Sequence, residues 1–404
     1  MVVWESGETN RRKQAVGFHR LNLRFYLKNR RSTRPKNELR LFPLRSFVST
    51  MQEKITRLFL APFALLYGIG ISMRNALYDR GFLKGVKFNL PVISVGNLSV
   101  GGSGKTPHIE YLIRLLREHL NVATLSRGYK RKTKGFRIVY AHNTAEESGD
   151  EPLQFRRKFP DIFVAVSESR AFGIPEIVKH QPDTEVVLLD DAFQHRAVQP
   201  GLNILLTEFS HPFTEDYLLP YGRLREWRKG YERADIIIVT KCPVDFREEE
   251  RRQFLEAIRP LPHQSLYFSF YDYGYPYYIF DGRYKGQLDQ EIDVLLVSAI
   301  ARADYLVNYL EENVRSVTTM AYPDHHNFTK HDIGQVKMTF DRMESKRKVI
   351  LTTEKDAVRL QLHKQFLTEH KLPIFALPVE VDFHGPDRAS FDAQVQQFLL
   401  DFRV

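Results

Sequence analysis

The sequence predicts an α/β protein, a mainly parallel sheet with helices on both of its faces. Two observations predict this class: short apolar runs of strand length alternate with amphipathic stretches of helical spacing, and the alternation continues through most of the chain. Strands are predicted at 90–95, 121–125, 162–166, 185–190, 202–206 and 234–240, with helices such as 107–119 and 168–179 between them. Beyond residue 290 the segments IDVLLVSAI, RSVTTMAY, KVILTT and LPIFALPVE continue the alternation and predict a second, smaller α/β lobe.

Changes in texture divide the chain into five predicted segments. Residues 1–50 form a basic extension, 51–88 a region with an apolar helix, and 89–265 the main α/β core. The aromatic, turn-rich segment 266–290 predicts a hairpin and linker, and 291–404 the second lobe.

Charge is concentrated at the N-terminus. The chain carries a net charge of +10, but residues 1–50 hold 12 Lys/Arg against 3 Asp/Glu, and the remaining 354 residues hold 47 against 46. The near-neutral body therefore gives no reason to expect a nucleic-acid partner. The extension has no secretory signal pattern. An organellar transit peptide and a nucleic-acid arm stay open for it, but we favour an unstructured extension or upstream reading frame, because Met51 begins the coherent pattern.

Two further features indicate the compartment. The single cysteine, Cys242, excludes a disulfide framework or a Cys-based zinc site and is typical of a reducing cytosol. Leu58 to Met73 are 16 consecutive uncharged residues between Arg57 and Arg74, fewer than the roughly 20 that a spanning helix needs. With cationic flanks, this run predicts a helix lying in the headgroup region of an anionic bilayer. The alternative is a helix buried on the α/β core.

The segment 99–106, Ser-Val-Gly-Gly-Ser-Gly-Lys-Thr, predicts a phosphate-binding loop and hence a P-loop NTPase-like sheet. It follows an apolar strand and opens a helix, the context in which backbone N–H groups cradle phosphates. The usual first glycine is replaced by Ser99, while Gly101, Gly102 and Gly104 remain. The loop residues Ser99, Val100, Gly101, Gly102, Ser103, Gly104, Lys105 and Thr106 are predicted to bind nucleotide, with Lys105 on the β/γ-phosphates and Thr106 on Mg²⁺.

Asp190 and Asp191 stand at the end of a predicted buried strand, EVVLLDD. A carboxylate in this position is typical of the residue that meets Mg²⁺ at a nucleotide site. Capping of the core edge is the alternative for this pair. The guanine-reading pattern Asn/Thr-Lys-x-Asp is broken, because Pro243 stands where the aspartate should be. Adenine nucleotide is therefore the prediction.

The acceptor side is predicted from two motifs. In ESGDEPLQF, Asp150 and Glu151 precede a proline-started helix, where Asp150 is either a helix cap or the group that accepts a hydroxyl proton during phosphoryl transfer. In YPDHHNFT, Asp324, His325 and His326 allow three interpretations: a metal cluster, a surface pair, or a histidine hydrogen-bonded to a catalytic carboxylate. We favour the last.

In this order, the motifs resemble those of the tetraacyldisaccharide 4′-kinases, the lipid A kinases of Gram-negative bacteria. The resemblance runs from about Met51 to the C-terminus. It is carried by PVISVGNLSVGGSGKTP at 91–107, LSRGYKRKTKG at 125–135, GDEP at 149–152, LLDDAFQH at 188–195, YGRLRE at 221–226, PDHHNF at 323–328 and LTTEKDAVRL at 351–360.

The resemblance implies transfer of the ATP γ-phosphate, with Mg²⁺, to the 4′-hydroxyl of a tetraacyldisaccharide 1-phosphate, giving lipid IV-A. It implies Asp150 as catalytic base with His325 as its partner, and Asp190 and Asp191 as the magnesium-binding pair. Arg127 and Arg225 would face phosphate or substrate, and Glu151 would contact substrate. The family's membrane-contacting helix corresponds to 55–77, which implies a peripheral enzyme on the cytoplasmic face of the inner membrane, with no obligate protein partner evident.

Two departures from the family pattern stand out. VSAIARADYL at 297–306 replaces a glycine-rich turn, and KRKTKG is unusually basic, as a substrate phosphate or anionic lipid would favour. Two other functions stay open on the residues alone: a soluble small-molecule kinase whose 51–80 helix belongs to the core, and an ATP-switched binding module in which Asp150 is a cap.

Overall fold

The computed structural model describes residues 44–300 and 302–402, with side chains from residue 59 onward. Residues 1–43 of the predicted extension lie outside the described residues. Helix α1 begins at Leu44, inside the segment predicted to be unstructured, and runs to Asp79 with Pro62 inside it. The stretch Phe59–Asp79 is, by length and composition alone, apolar enough to cross a membrane, and it is the one such helix among the described residues.

The larger sheet has the strand order β15-β8-β7-β6-β1-β5-β2-β4-β3 in the described part of the chain. Its central strands pair in parallel, and only the two edges, β3 on β4 and β15 on β8, pair antiparallel. The strands are β1 (Val92–Asn97), β2 (Val122–Ser126), β3 (Arg137–Ile138), β4 (Phe163–Val166), β5 (Val186–Asp190), β6 (Leu202–Glu208), β7 (Ile236–Thr240), β8 (Ser265–Tyr273) and β15 (Val379–Phe383).

The smaller sheet has the order β10-β9-β14-β13-β11-β12 in the described residues. β12, β11, β13 and β14 pair in parallel, and the short hairpin β9–β10 closes one edge. Its strands are β9 (Tyr277–Tyr278), β10 (Asp281–Lys285), β11 (Asp293–Ser298), β12 (Ser316–Ala321), β13 (Lys348–Thr353) and β14 (Ile374–Leu377).

Helices connect the strands and cover the sheets. They are α2 (Lys105–Leu116), α3 (Ala145–Ser148), α4 (Asp150–Lys158), α5 (Arg170–His180), α6 (Glu248–Ile258), α7 (Asp304–Asn313), α8 (Lys330–Arg342), α9 (Glu354–Leu360), α10 (Lys364–Glu369) and α11 (Asp387–Asp401), with 3₁₀ turns at Arg228–Arg233 and Gln361–His363.

Strands buried on both faces explain the continuous apolar runs of the sequence. Leu188 and Leu189 of β5 are both buried, yet they pack into two different clusters because successive side chains point to opposite faces of the sheet. Each such side chain contributes about 1.5–3 kcal/mol on burial. The predicted α/β class, with a parallel core sheet and a smaller second sheet, is therefore confirmed.

The order of the chain differs from a simple succession of two lobes. The aromatic segment predicted to be a hairpin begins with β8, a nine-residue strand of the larger sheet, and only 277–285 forms the hairpin. The chain then builds the smaller sheet and returns to the larger one at β15 and α11, whose Phe391 packs in the larger core. Residues 274–378, here called the inserted lobe, therefore lie between two neighbouring strands of the larger sheet.

Candidate active site

The phosphate loop connects β1 to α2 at the centre of the larger sheet. Two of its glycines have left-handed backbones, Gly101 with φ +117° and Gly104 with φ +88°, which side chains rarely adopt. A Cβ at Gly104 would also lie 2.7 Å from the Tyr271 hydroxyl. The sequence therefore needs glycine at these points for the loop to turn into α2.

Lys105 reaches back across this loop. Its Nζ donates to Asn97 Oδ1 over 3.1 Å and lies 3.6 Å from Asp191 Oδ1. The ammonium is thus held beside the end of β5, among the residues that line the loop's cavity.

Asp190 and Asp191 occupy the carboxyl end of β5, next to β1 in the sheet. Burial, with the neighbouring Asp191 charge, raises the pKa of Asp190 to about 7. Its Oδ1 is buried and has no hydrogen-bond partner, while Oδ2 lies 3.4 Å from Ser126 Oγ. For Asp191, burial would raise the pKa, but Lys105 and Arg225 outweigh it and lower the pKa far below its ordinary value.

Arg225 ties these elements together. It donates to the Asp191 carboxylate from Nη1 over 3.1 Å and from Nη2 over 2.8 Å, and Nη2 also donates to the Asn97 side chain. Its own carbonyl accepts a hydrogen bond from the Tyr67 hydroxyl of α1 over 2.8 Å. The predicted basic residue of YGRLRE therefore contacts Asp191 of the carboxylate pair, and its loop contacts α1.

Asp150 and His325, distant in sequence, are hydrogen-bonded to each other. His325 Nδ1 lies 2.9 Å from Asp150 Oδ2, and Arg359 Nε donates to Asp150 Oδ1 over 3.0 Å while its Nη2 also donates to the carboxylate. Burial raises the pKa of Asp150, but the hydrogen bonds from His325 and Arg359 outweigh burial and hold the pKa at about 2. Asp150 is therefore an ionised carboxylate with both oxygens engaged.

Lys355 lies on the other side of the imidazole. Its Nζ is 3.1 Å from His325 Nε2, 3.0 Å from Glu151 Oε1 and 3.7 Å from Asp324 Oδ1. Burial lowers the pKa of Lys355, but Glu151 and Asp324 raise it more, so the net shift is upward. The side chain is an ammonium in an acidic surrounding.

A single cavity of about 1030 Å³ brings these groups together. Its walls include the loop Ser99–Thr106, the pair Asp190 and Asp191, and, on the inserted lobe, His325 and Lys355. The predicted residues Arg127, Glu151 and Arg225 line the same cavity. Asp150 is only 5% exposed and lies behind His325, so the imidazole is the member of the pair that faces the cavity.

The sequence left a helix cap open for Asp150, and a metal cluster or a surface pair open for Asp324, His325 and His326. Asp150 is the first residue of α4, where Gly149 is the N-cap, and its carboxylate points to the inserted lobe. His326 pairs with Asp332 over 2.9 Å, whereas His325 pairs with Asp150. In the described residues, no three His, Cys, Asp or Glu side chains converge as a metal site.

Four residues without a role predicted from the sequence contact the predicted site residues: Asn97, Arg170, Lys355 and Arg359. Arg170 is buried and donates to the Ser167 and Asp190 carbonyls. Lys355 and Arg359 lie within LTTEKDAVRL, four residues apart, so a helix over that motif would have placed both cations on one face. Nothing in the sequence indicated that this face meets Asp150.

A phosphate-binding loop, a carboxylate pair on the adjacent strand and a carboxylate–histidine pair across one cavity define a P-loop kinase. Residues 56–400 match the family model described as tetraacyldisaccharide-1-P 4′-kinase. The chain belongs to this family, whose members phosphorylate a lipid A precursor at the 4′ position.

Relatives and a solved structure agree with this assignment. The chain is 44% identical to the tetraacyldisaccharide 4′-kinase of Bacteroides fragilis over 343 residues, covering 83% of this chain and 91% of that protein. It is 46% identical to the enzyme of Parabacteroides distasonis, covering 80% and 89%. The crystal structure of LpxK from Aquifex aeolicus in complex with ATP superposes with a TM-score of 0.66 at 32% identity, covering 85% of this chain and 99% of that one.

Proposed function

We propose that this chain transfers the γ-phosphoryl group of ATP to the 4′-hydroxyl of a tetraacyldisaccharide 1-phosphate in the cavity described above. The observation that carries the proposal is the position of His325 and Asp150 in the same cavity as the loop Ser99–Thr106. A phosphoryl group held by the loop would then face a hydroxyl at the opposite wall. Positioning of this kind accounts for most of the catalysis in phosphoryl transfer.

The chain's own cations would bind the nucleotide phosphates. Lys105 and Arg225 already converge on Asp191, within reach of the loop, and are suited to offset the negative charge of the β- and γ-phosphates. Arg127, on another wall of the cavity, would face phosphate or substrate, and Glu151 would contact substrate on the acceptor side.

The site fits Mg²⁺. Thr106, Asp190 and Asp191 offer oxygen atoms, the ligands this hard cation prefers, and it needs few from protein when phosphates supply others. Asp190 Oδ1, a buried oxygen without a partner, supports the fit. When bound, Mg²⁺ would neutralise charge on the transferring phosphoryl group.

The Asp150–His325 pair would accept the proton of the attacking hydroxyl. In the sequence-based hypothesis Asp150 is the base and His325 adjusts it. The contacts favour a division in which the imidazole meets the hydroxyl and the ionised carboxylate orients it, because Asp150 lies behind His325 with both oxygens hydrogen-bonded. Proton acceptance of this kind typically contributes 10²–10⁴-fold.

Helix α1 supports binding at a membrane surface. Its docked side includes the buried Ala64 and Gly68, whereas Phe63, Leu66 and Met73 on another side are each more than 60% exposed. An apolar helix face beside basic residues suits an anionic interface. We place the enzyme on the cytoplasmic face of the inner membrane, where the acyl chains stay in the bilayer and ATP is present.

Radiolabelled ATP and a panel of acceptors test the transfer. We expect label on the acylated disaccharide 1-phosphate. Label on a soluble sugar instead, or ATP hydrolysis without an acceptor product, would contradict the proposal.

Variants of the pair test its role. Asp150→Asn and His325→Gln should each lower kcat by about 10²–10⁴-fold with little change in the KM for ATP, and the double variant should lose little more. If His325→Gln is active and Asp150→Asn is inactive, the Asp150 carboxylate and not the imidazole accepts the proton of the hydroxyl. Near-normal turnover of both would remove the pair from the reaction.

Liposome flotation tests the membrane surface. Phe63→Glu with Leu66→Glu should release the protein from anionic vesicles, while Leu362→Glu, which changes an exposed leucine of the inserted lobe, should not. Equal flotation of all three proteins would exclude α1 as the docking surface.

A further inference from the structure

Helix α9 presents two cations, one turn apart, to the Asp150–His325 pair. Lys355 and Arg359 are at positions i and i+4, which share a helix face. Arg359, 2% exposed, holds the Asp150 carboxylate, and Lys355 contacts the imidazole nitrogen that faces away from it. One short helix thus holds both ends of the pair.

The hydrogen-bond partners assign the tautomer of His325. An ammonium has donors and no acceptor, so Lys355 Nζ, 3.1 Å from Nε2, requires a lone pair on that nitrogen. The ring proton of the neutral imidazole then lies on Nδ1 and is donated to Asp150 over 2.9 Å. Arg359 Nη2 is 3.0 Å from Nδ1 but cannot accept this proton, so it donates to the carboxylate.

Asp324 would favour the opposite tautomer. Its Oδ2 lies 3.8 Å from His325 Nε2, and a carboxylate next to this nitrogen attracts a proton to it. Lys355 Nζ lies 3.7 Å from Asp324 Oδ1 and partly neutralises that charge while occupying Nε2. The charged and titratable groups around the imidazole are therefore Asp150 and Arg359 on one side and Lys355 and Asp324 on the other, with the Tyr129 ring packed against it.

The backbone keeps these groups in place. Asp356, on α9, accepts a hydrogen bond from the Ala299 N–H over 2.9 Å, and the Ala299 carbonyl accepts one from the His325 N–H over 3.1 Å. Lys355 is additionally held by Glu151 of α4 over 3.0 Å. Its distance to the imidazole thus follows from fixed elements rather than from a free surface side chain.

We propose that Lys355 is a positioning residue that holds His325 in the tautomer whose Nε2 carries no proton. This nitrogen faces the cavity and can accept a proton from the substrate hydroxyl. This inference rests on the proposed function of the Asp150–His325 pair. On substrate binding the hydroxyl takes the position of the ammonium at Nε2, and Lys355 remains paired with Glu151.

Steady-state kinetics with the full chain are the first test. Lys355→Met should lower kcat on the order of 10- to 100-fold, as loss of an orienting group does, with the KM for ATP changed less than about threefold. Lys355→Arg keeps a charged donor and should recover part of the loss. The control is Lys337→Met, which removes a half-buried lysine paired with Asp341 on α8, outside the cavity, and should leave kcat unchanged. A Lys355→Met enzyme with wild-type kcat, or with its loss confined to the KM for ATP, would overturn the proposal.

The second test needs no turnover. ¹⁵N-histidine NMR of the full chain, with the His325 signals assigned by comparison with His325→Gln, reports which ring nitrogen carries the proton. We expect Nδ1–H in the wild type and a shift toward Nε2–H in Lys355→Met, and an unchanged tautomer would overturn the proposal even if kcat falls. If the tautomer shifts but Asp150→Asn retains full activity, the proposed function fails while the assignment of Lys355 stands. Thermal melts of each variant verify that the fold is retained.

Discussion

Asp150 is hydrogen-bonded to side chains of the inserted lobe, although its own helix, α4, lies between strands of the larger sheet in the chain. Its carboxylate accepts hydrogen bonds from His325 and Arg359, and these outweigh the effect of burial on its pKa. Many catalytic carboxylates that act as a base near neutral pH have raised pKa values. Asp150 has the reverse, which suits a fixed negative charge that orients an imidazole.

The lowered pKa of Asp150 makes a prediction for stability against pH. A carboxylate whose folded pKa, about 2, lies below its ordinary 3.8 stabilises the fold above the ordinary value and loses this contribution as pH falls through the folded one. The free energy of unfolding of the wild type should exceed that of Asp150→Asn by about 2 kcal/mol more at pH 6 than at pH 2. Chemical denaturation of both proteins across this range measures the difference. A constant difference would mean that Asp150 is not paired in the folded protein.

At this scale the sequence predicted the residues that its motifs name, but not all of their partners. The family resemblance implies that Asp150 and His325 are partners, and the structure brings them together. Lys355 and Arg359 lay inside a quoted motif without a role, because their role comes from a contact between two sheets. Local patterns carry no information on which distant helix faces which loop.

Helix α1 is fastened to the loop that carries Arg225. The indole of Trp227 donates to Ser72 Oγ over 2.8 Å and lies over Gly68, where a Cβ would be 2.6 Å from the ring. The close approach explains the glycine: any side chain there would push the helix from the loop. Two residues further on, Gly70 has nothing within 4 Å of an added Cβ.

The two glycines therefore make a matched pair of substitutions. Gly70→Ala should raise the free energy of unfolding by up to about 1 kcal/mol, because alanine favours a helix and finds open space. Gly68→Ala should lower it, since the clash with Trp227 exceeds the same gain in propensity, and should also reduce kcat through the Arg225 loop. Thermal melts and kinase assays of both variants check this. Equal stabilisation by the two substitutions would show that Trp227 does not pack on α1 in solution.

Most elements could be predicted because their period is local. Six strands of the larger sheet, β1, β2, β4, β5, β6 and β7, and the helices that begin at Lys105 and Arg170 lie within a few residues of the predicted positions. Helix α1 continues through Pro62, Gly68 and Gly70, although proline and glycine both have low helix propensity. The aromatic residues of β8 predict a hairpin because they resemble those of the hairpin that follows it, yet β8 pairs with β7 in the larger sheet.

The two sheets also share a buried group of charges. Lys158 of α4 lies 2.7 Å from Glu110 of α2 and 2.7 Å from Glu354 of α9, and the Tyr277 hydroxyl donates to Glu354 over 3.1 Å. Burial lowers the pKa of Lys158, but the two carboxylates raise it overall, so the ammonium stays charged between them. One lysine thereby connects the larger sheet to the inserted lobe.

Lys158→Met should destabilise the whole molecule. It leaves Glu110 and Glu354, 1% and 9% exposed, buried and facing each other without the cation, a loss of about 3–5 kcal/mol. Lys179→Met, which removes an exposed lysine paired with Glu176, is the control and should cost less than about 1 kcal/mol. Calorimetry of both variants measures this. An unchanged melting temperature for Lys158→Met would mean that the charges are hydrated and do not join the lobes.

At the scale of the molecule, the sequence predicted two α/β lobes but not how they are connected. Alternating patterns indicate the number and type of elements, and the return of β15 to the larger sheet leaves no local signal in LPIFALPVE. That return depends on pairing with β8, about a hundred residues earlier. Pairings of such separation are the part of a topology that a single sequence conveys least.

Because the chain leaves and re-enters the larger sheet at one place, the inserted lobe could be removed or exchanged as a unit. Tyr273 and Val379 are opposite each other in the β8–β15 ladder, and the Gly274 N–H donates to the Pro378 carbonyl over 3.1 Å. A tight turn could join the two strands there, excising the intervening module without cutting any other connection. The remaining protein would keep the phosphate loop but lose His325. An inserted lobe from a relative, joined at the same two positions, would supply a histidine again. The part of the proposed site that carries His325 thus enters the chain as one continuous segment, whose two ends lie side by side on the larger sheet.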